Sequence, residues 1–202
     1  MILDYFIFLL IGISTSVVGA VPFGLVNLTV LNVSLEQGNR AARRIAHGAS
    51  VVEVLFGLTA ILAGSMVYQY LEGNSVISFI AIAVLIVGGL FFLLKKQRLE
   101  NPQETSYSGF LKGAILNLVS VQVFLFWILA IAFLSSIELM KYDALSVLIF
   151  ISGIWMGKML VLQLYMKLSR RLLSKSRVIS MNINRIIGFV LFGMAFVQFI
   201  NM

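Results

Sequence analysis

Gly19-Ala-Val-Pro22-Phe-Gly24-Leu-Val-Asn27, then the basic Gln37-Gly-Asn-Arg-Ala-Ala-Arg-Arg44, then an apolar run carrying Glu53: this succession between residues 19 and 57 decides how the chain is read. Apolar sequence lies on both sides of Pro22. A proline inside a membrane helix frees backbone groups, which survive in lipid only where protein or a water-filled cavity satisfies them. The carboxylate of Glu53 costs several kcal/mol at membrane depth and so must face such a cavity or a partner. Broken helix and buried acid together point to a transport pathway.

Composition supports a membrane setting. The 202 residues are 60% hydrophobic and 11% charged, well above the apolar share of soluble domains. Without cysteines there are no disulfides, thiol chemistry or thiolate metal sites, and the lone His47 offers little to a metal. Redox and metal cofactors are therefore not expected. The net charge of +7 would suggest nucleic acid in a soluble protein, but the basic residues sit in short connections between apolar runs, where they report topology.

Six runs are long enough to span a bilayer, at about 5–31, 47–70, 75–94, 110–134, 144–166 and 184–200. The expected fold is an all-α integral membrane protein of six transmembrane helices forming one transporter domain, 1–202. The first run lacks a basic leader and a clear cleavage site and is read as a retained helix. Arg40, Arg43, Arg44, Lys95, Lys96, Arg98, Lys112, Lys167, Arg170, Arg171, Lys175, Arg177 and Arg185 fall on one side of this arrangement. Both termini are then expected away from the cytoplasm. The polar linker at about 95–109 divides halves of about 1–95 and 109–202, which must be inverted relative to each other if they form a repeat. An echo between Leu-Val-Asn27-Leu and Ile-Leu-Asn117-Leu supports that reading.

Counting helical rise from the basic ends puts Asn27, Glu53, Asn117 and Lys158 about 10–14 Å in, in one layer. Glu53 and Lys158 are the ionisable residues clearly inside apolar runs. They pair, or each snorkels to the interface, or Glu53 exchanges protons; the sequence leaves these open. Asn27 and Asn117 either hydrogen-bond substrate or cross-link helices, and Ser120 and Gln122 extend a polar face on helix 4. Gly48, Gly57, Gly64, Gly188 and Gly193 read as close helix contacts, Gln163 as a helix contact, and Gly38-Asn39 as a helix stop. His47, Trp127 and Trp155 read as structural.

These features resemble the lysine-exporter (LysE/RhtB) superfamily, small carriers that export amino acids and related metabolites. Pro22-Phe23-Gly24 stands where that family has Pro-Gly-Pro; Gly38 to Gly48 matches its Gly-Arg-rich connection; Glu53 takes the acidic position of its second helix; Asn184-Arg185-Ile-Ile-Gly188 with Gly193 is similar to its last-helix pattern. Two departures stand out. The second proline of the first motif is missing, and Ser120-Val121 replaces the Asn-Pro of helix 4, so that helix is free to run continuously. Lys158 has no counterpart in the family pattern, which suggests a divergent member. The resemblance implies a proton-coupled exporter or antiporter in the plasma membrane, the inner membrane in bacteria. With the polar residues read above, the candidate site is Pro22, Gly24, Asn27, Glu53, Asn117, Ser120, Gln122 and Lys158, and the expected partners are a small amino-acid-like substrate, protons and the lipid bilayer.

Among other classes, an enzyme lacks paired cysteines and any serine–histidine or paired-aspartate constellation, since Asp4 and Asp143 lie near outer helix ends and His47 at an inner one. A channel is the nearest functional rival. A non-transporting subunit or assembly factor of a membrane complex, using Glu53 and Lys158 as glue, is the alternative to a carrier. Substrate identity and oligomeric state, a homo-oligomer included, stay open.

Overall fold

The computed structural model describes residues 2–21, 24–71 and 109–169, with helical residues at 83, 86–87, 90, 189, 192–193, 195–196 and 199–200. The described residues form an all-α membrane protein. Its helices are α1 (Ile2–Ala20), α2 (Leu25–Glu36), α3 (Asn39–Leu71), α4 (Gly109–Leu118), α5 (Val121–Ser136) and α6 (Ala144–Lys167). Two helical stretches, Asn39–Gly64 and Ala144–Lys167, are long and apolar enough to cross a bilayer alone, and the bent pairs α1/α2 and α4/α5 make up to two more spans. These account for the first, second, fourth and fifth runs; the third and sixth, with the linker and Gly188, lie largely outside the described residues.

The basic stretch, read from the sequence as a connection, is helical from Asn39 onward. Gly38, at φ +87°, takes the left-handed conformation that glycine adopts without strain, and α3 begins on the next residue. Arg and Ala are strong helix formers, so Arg40, Arg43 and Arg44 ride on the first turns of α3.

The two bent pairs turn by 82° between α1 and α2 and by 64° between α4 and α5. The second bend corrects the expectation of a continuous helix 4. It forms without proline because Ser120 leaves the helical region, at φ −79° and ψ 77°. Its N–H moves to the Asn117 carbonyl (3.0 Å), and its Oγ donates 2.8 Å to the Leu116 carbonyl that this N–H would have served in a helix. A serine hydroxyl competing for a backbone carbonyl, flanked by Val119, Val121 and Val123 of low helix propensity, favours a break here; Ser50 and Ser152 make the same bond inside continuous helices.

α1 packs chiefly on α6, and α4 on α3. Glycines make this possible. A Cβ on Gly12 would lie 2.5 Å from the Phe150 carbonyl oxygen, and one on Gly153 2.6 Å from that of Leu9; Cβ atoms on Gly48 and Gly113 would strike the carbonyls of Phe110 and Ile45. Both pairs run parallel, because Phe8 meets Phe150 while Gly157 meets Ser16, and Ile45 meets Gly113 while Ala49 meets Asn117. α3 and α6 run antiparallel, with Tyr142 beside Gly64 and Ile154 beside Gly57. Trp127 and Phe150 are fully buried at the centre and meet edge to face, a favoured aromatic geometry. Among the described residues, none comes within 4 Å of where a Cβ on Gly193 would sit.

Candidate functional site

On the antiparallel pair α3 and α6, Glu53 and Lys158 face each other with Lys158 Nζ 2.6 Å from Glu53 Oε2. They are 1% and 3% exposed, so neither snorkels. The contact is ionic, without the alignment of a hydrogen bond at Oε2. Ser16 of α1 is the third member: its Oγ donates 2.9 Å to the Ile154 carbonyl and lies 3.5 Å from Glu53 Oε1. Gly157 makes room for it, since a Cβ there would be 2.9 Å from Ser16 Cβ. Three helices thus close over one ion pair.

Such a pair is costly to build. Each ion loses several kcal/mol of hydration, and mutual attraction returns this only in good geometry. Its chemical capacity is exchange: an incoming ammonium competes for Glu53, an incoming carboxylate for Lys158, and a proton on Glu53 dissolves the pair.

The remaining predicted residues divide. Asn117 of α4 is fully buried and donates 2.8 Å to the Ala49 carbonyl, one helical turn from Glu53, while its Oδ1 is buried with no hydrogen-bond partner among the described residues. Asn27 lies at the first bend, where its Nδ2 donates 2.6 Å to the Ala20 carbonyl at the end of α1. Ser120 supports the second bend, and Gln122 is half-buried near the start of α5. Gly24 caps α2 in extended backbone that any residue adopts, with no described residue within 4 Å of where a Cβ would sit. Pro22 lies outside the described residues. The asparagine echo is not a structural correspondence: Asn27 follows its bend, whereas Asn117 precedes its own.

Sequence reasoning missed Ser16 and Tyr165. The Tyr165 hydroxyl donates 2.7 Å to the Val21 carbonyl and also interacts with Asn27. Two carbonyls freed at the first bend are therefore satisfied by side chains, as a break at membrane depth requires. The only signal for either residue was a hydroxyl inside an apolar run. His47 stacks at 5.6 Å on Trp155. Gln163 lies at an open cavity instead of a helix contact.

A family model for LysE type translocators matches residues 17–201. No curated protein and no solved structure matches the chain. The family match covers both bends, the Glu53–Lys158 pair and the packing of α4 on α3, and its members are membrane transporters. A multi-pass protein with a buried charge pair between two spans, matched by that model over nearly its whole length, belongs to the LysE type translocator family.

Proposed function

We propose that this protein is a secondary carrier that exports an amino acid or a related small metabolite, coupled to proton movement through Glu53. The observation that carries the proposal is the Glu53–Lys158 pair, buried at 1% and 3% exposure between the second helices of the two halves. Charge at this depth is functional by default, and a zwitterion matches the pair in both signs, its ammonium exchanging for Lys158 and its carboxylate for Glu53. Protonation of Glu53 releases Lys158 and lowers the barrier to separating α3 from α6, which biases alternating access.

The crosswise packing of α1 on α6 and α4 on α3 supports an inverted repeat with halves at about 1–95 and 109–202. Relative motion of the halves would open the pair to one side and then the other. Asn117, whose Nδ2 holds the carbonyl one turn before Glu53 and whose Oδ1 has no hydrogen-bond partner among the described residues, offers that oxygen to a substrate N–H. Asn27 is assigned to holding the first bend. The basic ends of α3 and α6 are placed at the cytoplasmic side of the plasma membrane, with both termini outside.

The experiment is counterflow in liposomes. Protein purified alone and loaded with an unlabelled amino acid should accumulate the labelled one transiently and saturably. A channel gives no counterflow, and an obligate subunit of a larger complex does not purify as a stable species by itself.

A further inference from the structure

The geometry points to a binding site for a phosphate group at the basic ends of α3 and α6, separate from the Glu53–Lys158 pair. An open cavity of about 200 Å³ lies there, lined by Asn39 and Arg43 from α3 and by Gln163, Met166 and Lys167 from α6. Asn39 and Arg43 are one helical turn apart, as are Gln163 and Lys167, so the two helices present matched polar rows to one space. Arg43 stands ten residues from Glu53 and Lys167 nine from Lys158, which puts the cavity roughly 14 Å along the helices from the ion pair.

The lining is built for an anion. Among the described residues, Arg43 and Lys167 have no carboxylate within 4 Å. Glu36, nearby in sequence, is exposed and does not line the cavity. Asn39 Oδ1 is engaged by Ser34 Oγ at 2.6 Å, which leaves the Asn39 amide group to donate. The positive end of the α3 dipole is opposed by the negative end of the α6 dipole at the same cavity, so the side chains carry the positive potential. A guanidinium fork, an ammonium and two amides match the several acceptor oxygens of a phosphate, and the buried Met166 gives the cavity an apolar wall. Basic pockets between membrane helices take anionic lipid headgroups. A free phosphate group offers the same chemistry. This inference does not depend on what the carrier moves.

The test is a titration of the purified full-length protein in detergent, followed by thermal shift, with phosphatidylglycerol, phosphatidylcholine and inorganic phosphate as separate probes. Wild type should bind phosphatidylglycerol more tightly than phosphatidylcholine. Arg43→Gln and Lys167→Gln should each weaken binding about fivefold and the double variant about 30-fold. Both residues are exposed, so the variants should fold. Arg40→Gln with Arg44→Gln, equal in charge change but outside the cavity, should weaken it less than about threefold. Phosphatidylglycerol binding without inorganic phosphate binding assigns the site to a lipid headgroup; binding of both assigns it to the phosphate group alone. Equal binding of the two lipids, an unchanged double variant, or as large a loss in the Arg40/Arg44 control would overturn the site.

Discussion

Replacing Lys158 by methionine should be among the most damaging single changes in the described core, and replacing both ion-pair partners should undo most of the damage. Glu53 is 1% exposed, and besides Lys158 Nζ at 2.6 Å its nearest polar neighbour in the described core is Ser16 Oγ at 3.5 Å. At an effective dielectric of about 20 the gross attraction across 2.6 Å is roughly 6 kcal/mol, most of it offset by lost hydration. Lys158→Met removes the attraction and keeps the desolvated carboxylate, a loss of about 3–5 kcal/mol. For a chain of this size that lowers the thermal midpoint by about 6–20 °C. Lys158→Met with Glu53→Leu removes both charges and should lie within about 1 kcal/mol of wild type, or above it. Tryptophan fluorescence during thermal unfolding in detergent, applied to both single variants and the double, gives the coupling energy. Additivity within about 0.5 kcal/mol would mean that the two residues do not interact and would refute the reasoning.

Further consequences follow from the packing, the bends and the α6 cap. A Cβ on Gly113 would strike the Ile45 carbonyl, so Gly113→Ala should cost about 1–3 kcal/mol by forcing α4 from α3; Gly24→Ala, with no described residue within 4 Å of the added Cβ, should change thermal stability by less than about 1 kcal/mol. Asn27→Leu strips the Ala20 carbonyl of its 2.6 Å donor and should cost about 1–3 kcal/mol in the same thermal assay. Asp143 caps α6, and hydrogen bonds from Ser146 hold its carboxyl below the ordinary value of 3.8. A carboxyl depressed on folding stabilises above its unfolded pKa and loses that contribution as pH falls through its lower folded value. The thermal midpoint of wild type should therefore exceed that of Asp143→Ala at neutral pH, with the gap closing below about pH 4; a gap constant down to about pH 2 would contradict the cap.

Much of this was legible in the residues. Gly38 marked a helix end because a left-handed turn favours glycine, and α3 does restart there. Glu53 and Lys158 announced themselves by their cost in an apolar run, and helical rise put them at similar depth. Whether they met was beyond reach, since helix rotation depends on contacts spread over several helices, here the glycine approach of α1 to α6 that also brings in Ser16. The second bend was hidden for another reason. Proline is a visible helix breaker, whereas the hydroxyl bond of Ser120 to the carbonyl four residues back is one that Ser50 and Ser152 also make inside continuous helices, so the residue type gave no warning of a break. Tyr165 was invisible because the carbonyl it serves lies 144 residues away in the chain.

The proposed coupling of substrate movement to protons through the buried carboxylate is tested by pH-gradient-driven flux of a labelled amino-acid panel in liposomes, with Glu53→Gln beside wild type. The predicted result is saturable wild-type flux that follows the pH gradient and a variant whose residual counterflow no longer does. Wild-type and Glu53→Gln flux driven equally by the gradient would contradict the account.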